Sequence, residues 1–538
     1  MNLEKYASIS LTPTRLILYM SIFIIVAGNW AFFDKVIDFY EWNLSNAGFI
    51  LSLAVFLTSI LLLISTFFSL FIPTRIIVSI MFLLAAVIGY FSDQLGIVID
   101  IDMIRNMLET NFSEASDLIT LKFLMRFIFL GILPVIFIWY LPLKKSLRLR
   151  ELRNSAQLAV GSIALMLICA LSFGDHYSSF FREHKPLRYF INPTLGIYSA
   201  GKYLRNEIRT PRSEKLISLS AHAKITESSG DLELVIMVVG ETARADHFSL
   251  NGYHRLTNPN LSSEKGLISF TNFSSCGTST AISVPCMFSY SNREDFKPKQ
   301  ARSTENALDI LSEAGVSVLW RDNNSSSKGV ANRVIYEDFR SLERNPVCDP
   351  ECRDIGMLSG LQEYINIQQG DILIVLHQMG SHGPAYYKRY PKEFNKFQPS
   401  CNTLELSSCT NEEITNAYDN SILYTDYFLS EVIKLLKKNT PEYETTMLYV
   451  SDHGESLGES GLYLHGMPYM FAPESQTRVP VITWVSETSD IDYKKTNEIR
   501  STPLSHDALF NTLLNVFEIK SDLPIIANKG LVQFKDHS

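Results

Sequence analysis

The chain has 538 residues, with 48 lysines and arginines against 56 aspartates and glutamates, and a formal net charge of −8. That length predicts two or three structural units rather than one, and the acidic balance excludes nucleic acid as the main partner. The composition is also segregated, with long, nearly uncharged apolar stretches crowding the N-terminal third.

Five stretches, residues 16–33, 47–72, 76–91, 127–143 and 156–173, read as membrane spans, most of them near the roughly 20 residues a crossing needs. With four spans behind it, the first stretch reads as a span rather than as a signal peptide. Lys144, Lys145, Arg148, Arg150 and Arg153 keep the fourth connection in the cytoplasm. The segment 92–120 sets Asp93, Asp100, Asp102, Glu109, Glu114 and Asp117 against Arg105 and belongs outside. With Lys5 and Arg15 inside, five crossings leave everything after Phe173 on the outer face. The predicted domains are a five-helix transmembrane domain, 1–175, an interfacial segment and linker, 176–230, and a soluble domain, 231–538.

Within the first domain an interfacial helix is expected near 100–118. Asn106, Thr110 and Glu114 recur there every four residues, which on a helix makes one polar stripe. By itself such a stripe reads as a solvated face, although Glu114 is also suited to meet a lipid ammonium. After the fifth span, residues 180–193 mix aromatic and basic side chains, as the lipid–water boundary favours. Residues 205–231 are charged and serine-rich and read as a linker.

Strand signals dominate the rest of the chain. The run 234–240 ends at Glu241, the run 371–377 ends at His377 with His382 just beyond, and 445–450 ends at Asp452 and His453. Glu455 and His465 come soon after the third. A helix over 306–314 and a strand over 316–320 fit between them, so a mostly parallel α/β sheet covered on both faces is expected. Three strands that deliver carboxylate and imidazole to one sheet edge point to a metal site, and zinc suits mixed oxygen and nitrogen ligands.

Residues 275–286 bring glycine and small hydroxyl residues up to a helix predicted to start near Thr280. A hydroxyl there can attack phosphorus once a metal helps to deprotonate it, though alone it reads as a cap. Six cysteines fall as near neighbours: Cys276 with Cys286, Cys348 with Cys352, and Cys401 with Cys409. Sequence leaves their connectivity open, local pairing is the economical expectation, and an oxidising compartment is where it persists.

These motifs carry a family resemblance. Residues 239–247, 276–280, 283–290, 320–325, 376–385, 451–458 and 463–468 are similar to those of the lipid A phosphoethanolamine transferases, most closely the mobile colistin-resistance branch. The resemblance implies an α-helical transmembrane domain joined to an alkaline phosphatase-like α/β domain in the periplasm. It implies a tightly held zinc ion on Glu241, Thr280, Asp452 and His453, with Thr280 as nucleophile. His382 and His465 match positions for a second zinc or the substrate phosphate, with His377 and Glu455 nearby. Asn324, Ser325 and Lys328 match the phosphoethanolamine pocket, while Asn106, Thr110 and Glu114 match positions that hold donor lipid.

The function it implies is two-step transfer at the outer face of the bacterial inner membrane. Phosphatidylethanolamine is the donor, lipid A phosphate the acceptor, and a phosphothreonine-type intermediate forms on Thr280 in a monomeric enzyme. The outcome is a less negative surface and polymyxin resistance. A core sugar or glycan acceptor is the nearest alternative. A sulfatase needs cysteine or serine in a C/S-x-P-x-R frame, and Ala281-Ile282-Ser283-Val284 follows Thr280 instead. A dead scaffold would be expected to lack a ligand, and none is missing.

Overall fold

Long apolar runs fold as helices in lipid because a helix satisfies its own backbone. The structure, a computed structural model, describes residues 11–40, 42–110, 112–144, 147–183, 185–208, 216–226, 231–349, 351–440, 442–523 and 530–535. Among these, four helices are long and apolar enough to cross a membrane: Leu44–Ser69, Thr74–Leu95, Leu121–Tyr140 and Arg148–Ser172.

The expected first span is not one helix. Pro13–Gly28 and Trp30–Phe39 meet at a 60° bend and make a fifth span only if taken together. Glycine and asparagine are weak helix formers, and the polar groups freed at Gly28 and Asn29 find a partner far along the chain. Asn192 Nδ2 donates to Gly28 O at 2.7 Å and to Ala85 O at 2.8 Å. Asn192 N donates to Asn29 Oδ1 at 2.8 Å, and Asn29 Nδ2 donates to Asn192 O at 2.9 Å.

Contacts divide the chain into two units. One holds Met1–Ile104 and Ile119–Arg209, and the other holds Arg105–Leu118 and Thr210–Ser538. The segment expected to carry one interfacial helix forms two, Ile101–Glu109 and Phe112–Asp117. Thr110 turns its hydroxyl onto Asn106 O at 2.7 Å, a side-chain bond of the kind that competes with helix continuation. Asn106, Thr110 and Glu114 therefore do not form the single continuous stripe that their spacing predicts.

In the second unit, seven strands make the main sheet. They are β1 (Glu233–Gly240), β2 (Leu267–Phe270), β3 (Ser317–Asp322), β4 (Ile335–Asp338), β5 (Ile372–His377), β6 (Glu444–Ser451) and β7 (Val481–Val485). Their order is β2-β7-β6-β1-β5-β3-β4. The five from β6 to β4 run parallel, and β7 is antiparallel to both its neighbours. Every residue of β1 and β5 is buried, which is why these strands read as unbroken apolar runs.

A 29-residue helix, Asn411–Asn439, packs against the sheet. Thr410 and Glu413 close its start as a reciprocal capping box, and Lys437 and Lys438 meet the negative end of its dipole. Three disulfides, Cys276–Cys286, Cys348–Cys352 and Cys401–Cys409, tie loops of this unit.

Parallel register also collects charge at the opposite sheet edge. Glu233 of β1 lies beside Glu444 of β6, with Asp490 completing a close trio and Asp371 Oδ1 accepting the Glu233 amide at 2.9 Å. Burial first, then the charges of Asp490 and Glu444, push the Glu233 carboxyl up to about 10. In the unfolded chain the same group titrates near roughly 4.3. Folding therefore takes up a proton between those values, and stability falls as pH rises through that window. Glu233→Gln should raise Tm at pH 8 by roughly 2–4 °C, on the order of 1 kcal/mol, and by less at pH 5. Thermal melts of the full chain in detergent at the two pH values check the sign.

Candidate active site and metal centre

Register fixes where chemistry can gather. Gly240 of β1 lies beside Ser451 of β6, Val239 beside His377 of β5, and His377 beside Asp322 of β3. Glu241, Asp452 and His453 directly follow these ends and emerge along the carboxyl edge of the sheet.

The turn after β1 is strained and over-determined. Thr242 has φ of 52°, a left-handed conformation that a β-branched residue adopts at a cost. Thr242 N donates to Asp452 Oδ1 at 3.2 Å, and Ala243 N donates to Ser451 Oγ at 2.8 Å. Tyr418, on the 29-residue helix, donates to Thr242 O at 2.7 Å. Together these bonds aim Glu241.

Thr280 begins the helix Thr280–Met287, and the Cys276–Cys286 disulfide ties that helix to the loop before it. Thr280 Oγ1 donates to Glu241 Oε2 at 3.1 Å and lies 3.3 Å from His453 Nε2. His453 Nδ1 faces the Gly454 carbonyl at 3.0 Å, so Nδ1 carries the proton and Nε2 turns its lone pair inward. That Nε2 is 3.5 Å from Glu241 Oε1 and 3.3 Å from Asp452 Oδ2. Neither carboxylate oxygen has a hydrogen-bond partner among the described residues, although Glu241 is only 1% exposed and Asp452 0%. Burial, then Asp452, raises Glu241 well above the carboxylate range, and burial holds His453 down at about 4. Lone pairs converging without donors are what a divalent cation satisfies, and two carboxylates, an imidazole and a hydroxyl form a fitting donor set.

A second group adjoins the first. The His465 ring centroid is 4.3 Å from that of His453 and 5.6 Å from that of His382. Glu455 Oε2 pairs with His465 Nδ1 at 2.8 Å, while its Oε1 accepts from Tyr386 at 2.8 Å. Burial works against a charge on His465, yet Glu455 raises it above the ordinary histidine value. Burial, then the Arg389 charge, lowers His382 well below that value.

On the other side a hydrogen-bonded chain leads outward. Asn324 Nδ2 donates to Glu241 Oε2 at 2.7 Å, Ser325 Oγ donates to Asn324 Oδ1 at 3.0 Å, and Lys328 Nζ donates to Ser325 Oγ at 2.6 Å. Glu114 is buried and near enough for the charges of Lys328, Arg389, His465 and His377 to act on it; burial nevertheless raises its carboxyl. His377 Nδ1 pairs with Asp322 Oδ2 at 3.1 Å, and its ring meets Trp320 edge-on. Thr110 is bonded to Asn106 O rather than to any of these side chains.

Some contributors escape a sequence reading. The stretch after Ser486 looks ordinary, yet His506 Nδ1 accepts from Cys276 N at 3.0 Å and its Nε2 donates to Ser451 O at 3.0 Å. Burial keeps His506 down at about 4, so a neutral ring joins the Thr280 loop to the strand that carries Asp452. Buried Asp354 accepts from the amides of Met379 and Gly380 at 2.9 and 3.1 Å and shapes the loop leading to His382. Neither residue lies in a strand-to-turn pattern that would have marked it.

Gly380 has φ of 52°, and a Cβ there would stand 2.8 Å from Glu241 O and 3.0 Å from Glu241 N. Gly380→Ala should displace Glu241 and reduce turnover by about 10²-fold. Gly370, at φ 88° with nothing within 4 Å of a methyl added there, is the control, losing stability but not turnover. Rate and melting temperature, measured together, separate the two effects.

Residues 233–519 match the family described as Sulfatase, and residues 55–208 match that described as Phosphoethanolamine transferase EptA/EptB. Phosphatidylethanolamine transferase Mcr-1 of Escherichia coli is 42% identical over 525 residues, which cover 95% of this chain and 96% of that protein. Phosphoethanolamine transferase EptA of Escherichia coli (strain K12) is 38% identical over 526 residues, 95% of each. Among solved structures, the integral membrane protein lipooligosaccharide phosphoethanolamine transferase A (EptA) from Neisseria meningitidis matches with a TM-score of 0.93 at 33% identity, covering 97% of this chain and 99% of that one.

Proposed function

The chain belongs to the phosphoethanolamine transferases, with residues 233–519 in the Sulfatase family, and from that premise we propose that it moves phosphoethanolamine from phosphatidylethanolamine to a phosphate of lipid A. The observation that carries this reading is the position of Thr280 Oγ1, at a helix start and 3.1 Å from Glu241 Oε2. A helix N-terminus favours the phosphate anion. The activities for which the relatives are named support the donor, and three disulfides support a periplasmic location for the catalytic unit.

Glu241, Thr280, Asp452 and His453 would hold a zinc ion, which when bound supplies a Lewis acid that lowers the pKa of the Thr280 hydroxyl. His382 and His465, with Glu455 behind, are left for a second zinc or for the substrate phosphate.

Thr280 Oγ1 forms a bond to phosphorus while the bond from phosphorus to the diacylglycerol oxygen breaks. The hydroxyl proton passes toward Glu241 Oε2, which already accepts it. Where His465 is not taken up by a second zinc, its pairing with Glu455 suits it to give a proton to the departing oxygen. Lys328 offsets phosphate charge as a compact cation, and Glu114 faces the ethanolamine ammonium. In the second step an oxygen of a lipid A phosphate attacks the phosphothreonine, and Thr280 leaves and recovers its proton. Donor and acceptor need never be bound together. The added amine makes the outer leaflet less negative and weakens its attraction for polymyxins.

Mass spectra of lipid A from cells expressing the wild type or Thr280→Ala test the reading. A phosphoethanolamine-sized addition with the wild type alone is expected. Unmodified lipid A from both, with Thr280 labelled in the wild-type protein, would move the acceptor to a core sugar or glycan.

A further inference from the structure

Arg389 is an expensive residue to bury, and its side chain is only 2% exposed. Its guanidinium is spread over three separate parts of the catalytic unit. Nε donates to His382 O at 2.6 Å, Nη1 pairs with Glu351, and Nη2 lies 3.2 Å from Asp117 Oδ2. Lys388 Nζ takes the other Asp117 oxygen at 2.6 Å. Asp117 is itself 6% exposed.

Asp117 ends the short helix Phe112–Asp117, three residues beyond Glu114. Side chains three apart lie on one helix face, so fixing Asp117 also fixes where Glu114 projects. The near end of the segment is fastened as well, with Arg302 paired to the Glu109 carboxylate and Lys328 Nζ donating to Glu109 O at 3.3 Å. Buried ion pairs are weak sources of stability, and their best-attested use is to set register.

We infer that Asp117, gripped by Arg389 and Lys388, is a positioning residue that sets Glu114 in register as the counter-charge for the donor's ammonium. It thereby makes the enzyme select a zwitterionic aminophospholipid over an anionic one. The inference rests on the donor assignment above and adds to it the part that enforces headgroup choice. Glu114 supplies the charge, and the Asp117–Arg389 pair holds it where an ammonium is rewarded and a hydroxyl is not.

The test is steady-state diacylglycerol release by full-length protein in mixed micelles that contain lipid A as acceptor, with phosphatidylethanolamine or phosphatidylglycerol as donor. The variants are Asp117→Asn, Asp117→Glu, Glu114→Gln and the double Glu114→Gln/Asp117→Asn. Asp117→Asn should raise the donor KM about tenfold with kcat within about twofold, and should narrow the preference for phosphatidylethanolamine. Asp117→Glu should restore part of the loss, and the double variant should be no worse than Glu114→Gln alone, because Asp117 acts through Glu114. Bound metal should match the wild type, whereas Asp117→Asn, which leaves buried Arg389 short of a counter-charge, should lower the melting temperature; the split between KM and kcat and the headgroup preference are the readouts that a merely structural role would not move. Additive losses, a fall in kcat at constant KM, or unchanged headgroup preference would each overturn the inference. A wild type that releases no diacylglycerol from phosphatidylethanolamine would instead overturn the donor assignment.

Discussion

Replacing Thr280 with alanine should lower phosphoethanolamine transfer by roughly 10⁴–10⁶-fold, the scale of losing a nucleophile outright. The folded structure should survive the change. Thr280 Oγ1 contacts Glu241 Oε2 and His453 Nε2, and Glu241 Oε2 keeps the Asn324 amide at 2.7 Å after the hydroxyl is gone. Deleting one hydroxyl and one methyl from this buried position costs on the order of 1 kcal/mol of stability. Thr280→Ser keeps the attacking oxygen and should stay within about tenfold of wild type. Intact-protein mass after mixing with phosphatidylethanolamine in the absence of acceptor reads the same step directly. A phosphoethanolamine adduct should accumulate on wild type and on the serine variant, and not on alanine. Turnover by the alanine protein at a rate near wild type would sink the covalent step.

The second large effect concerns Asp452. Its Oδ2 and Glu241 Oε1 are buried without hydrogen-bond partners among the described residues, and Asp452 is the main charge that pushes the Glu241 carboxyl upward after burial itself. Asp452→Asn removes an anion from the proposed metal-binding set, and metal affinity should fall by at least about 10²-fold with activity following. The same substitution also removes a buried anion that has amide donors on Oδ1 and none on Oδ2 among the described residues. In chelator, therefore, Asp452→Asn protein should melt at a higher temperature than wild type, although in metal-replete buffer it should melt lower. Wild type itself should lose about 4 kcal/mol on chelation if metal stands near a thousandfold above its Kd. Calorimetry of both proteins with and without chelator measures all four states. An asparagine variant less stable than wild type in both buffers would mean that Asp452 is held by the fold rather than by an ion.

The inward path of the chain is readable wherever burial is uniform along a strand. β1, β5 and β6 carry buried apolar runs (234–239, 372–376 and 447–450) that lead into polar residues, so their sequences mark both the sheet and its working edge. The helix opening at Thr280 is likewise foreshadowed by the glycine and hydroxyl residues before it. What stays hidden depends on partners far away in the chain. His506 meets Cys276 across 230 positions, and Lys388 meets Asp117 across 271. No local period encodes such pairs. The antiparallel strand β7 also escapes notice: polar residues lie on both sides of Val481–Val485, but the run leads into none of the site residues that mark the other strands. At Asn29 the apolar count is high enough to suggest a straight span, and one amide is enough to break it.

That break has a consequence for how the protein is made. Gly28 O and the Asn29 side chain are satisfied by Asn192, which lies 164 and 163 positions further on. The ribosome has threaded every membrane span before Asn192 emerges. Until then Gly28 O, at the kink of the N-terminal pair, lacks the Asn192 donor that satisfies it in the folded unit. Insertion and completion are thus separate events for this membrane unit. The first helices of the unit are among the last to be finished.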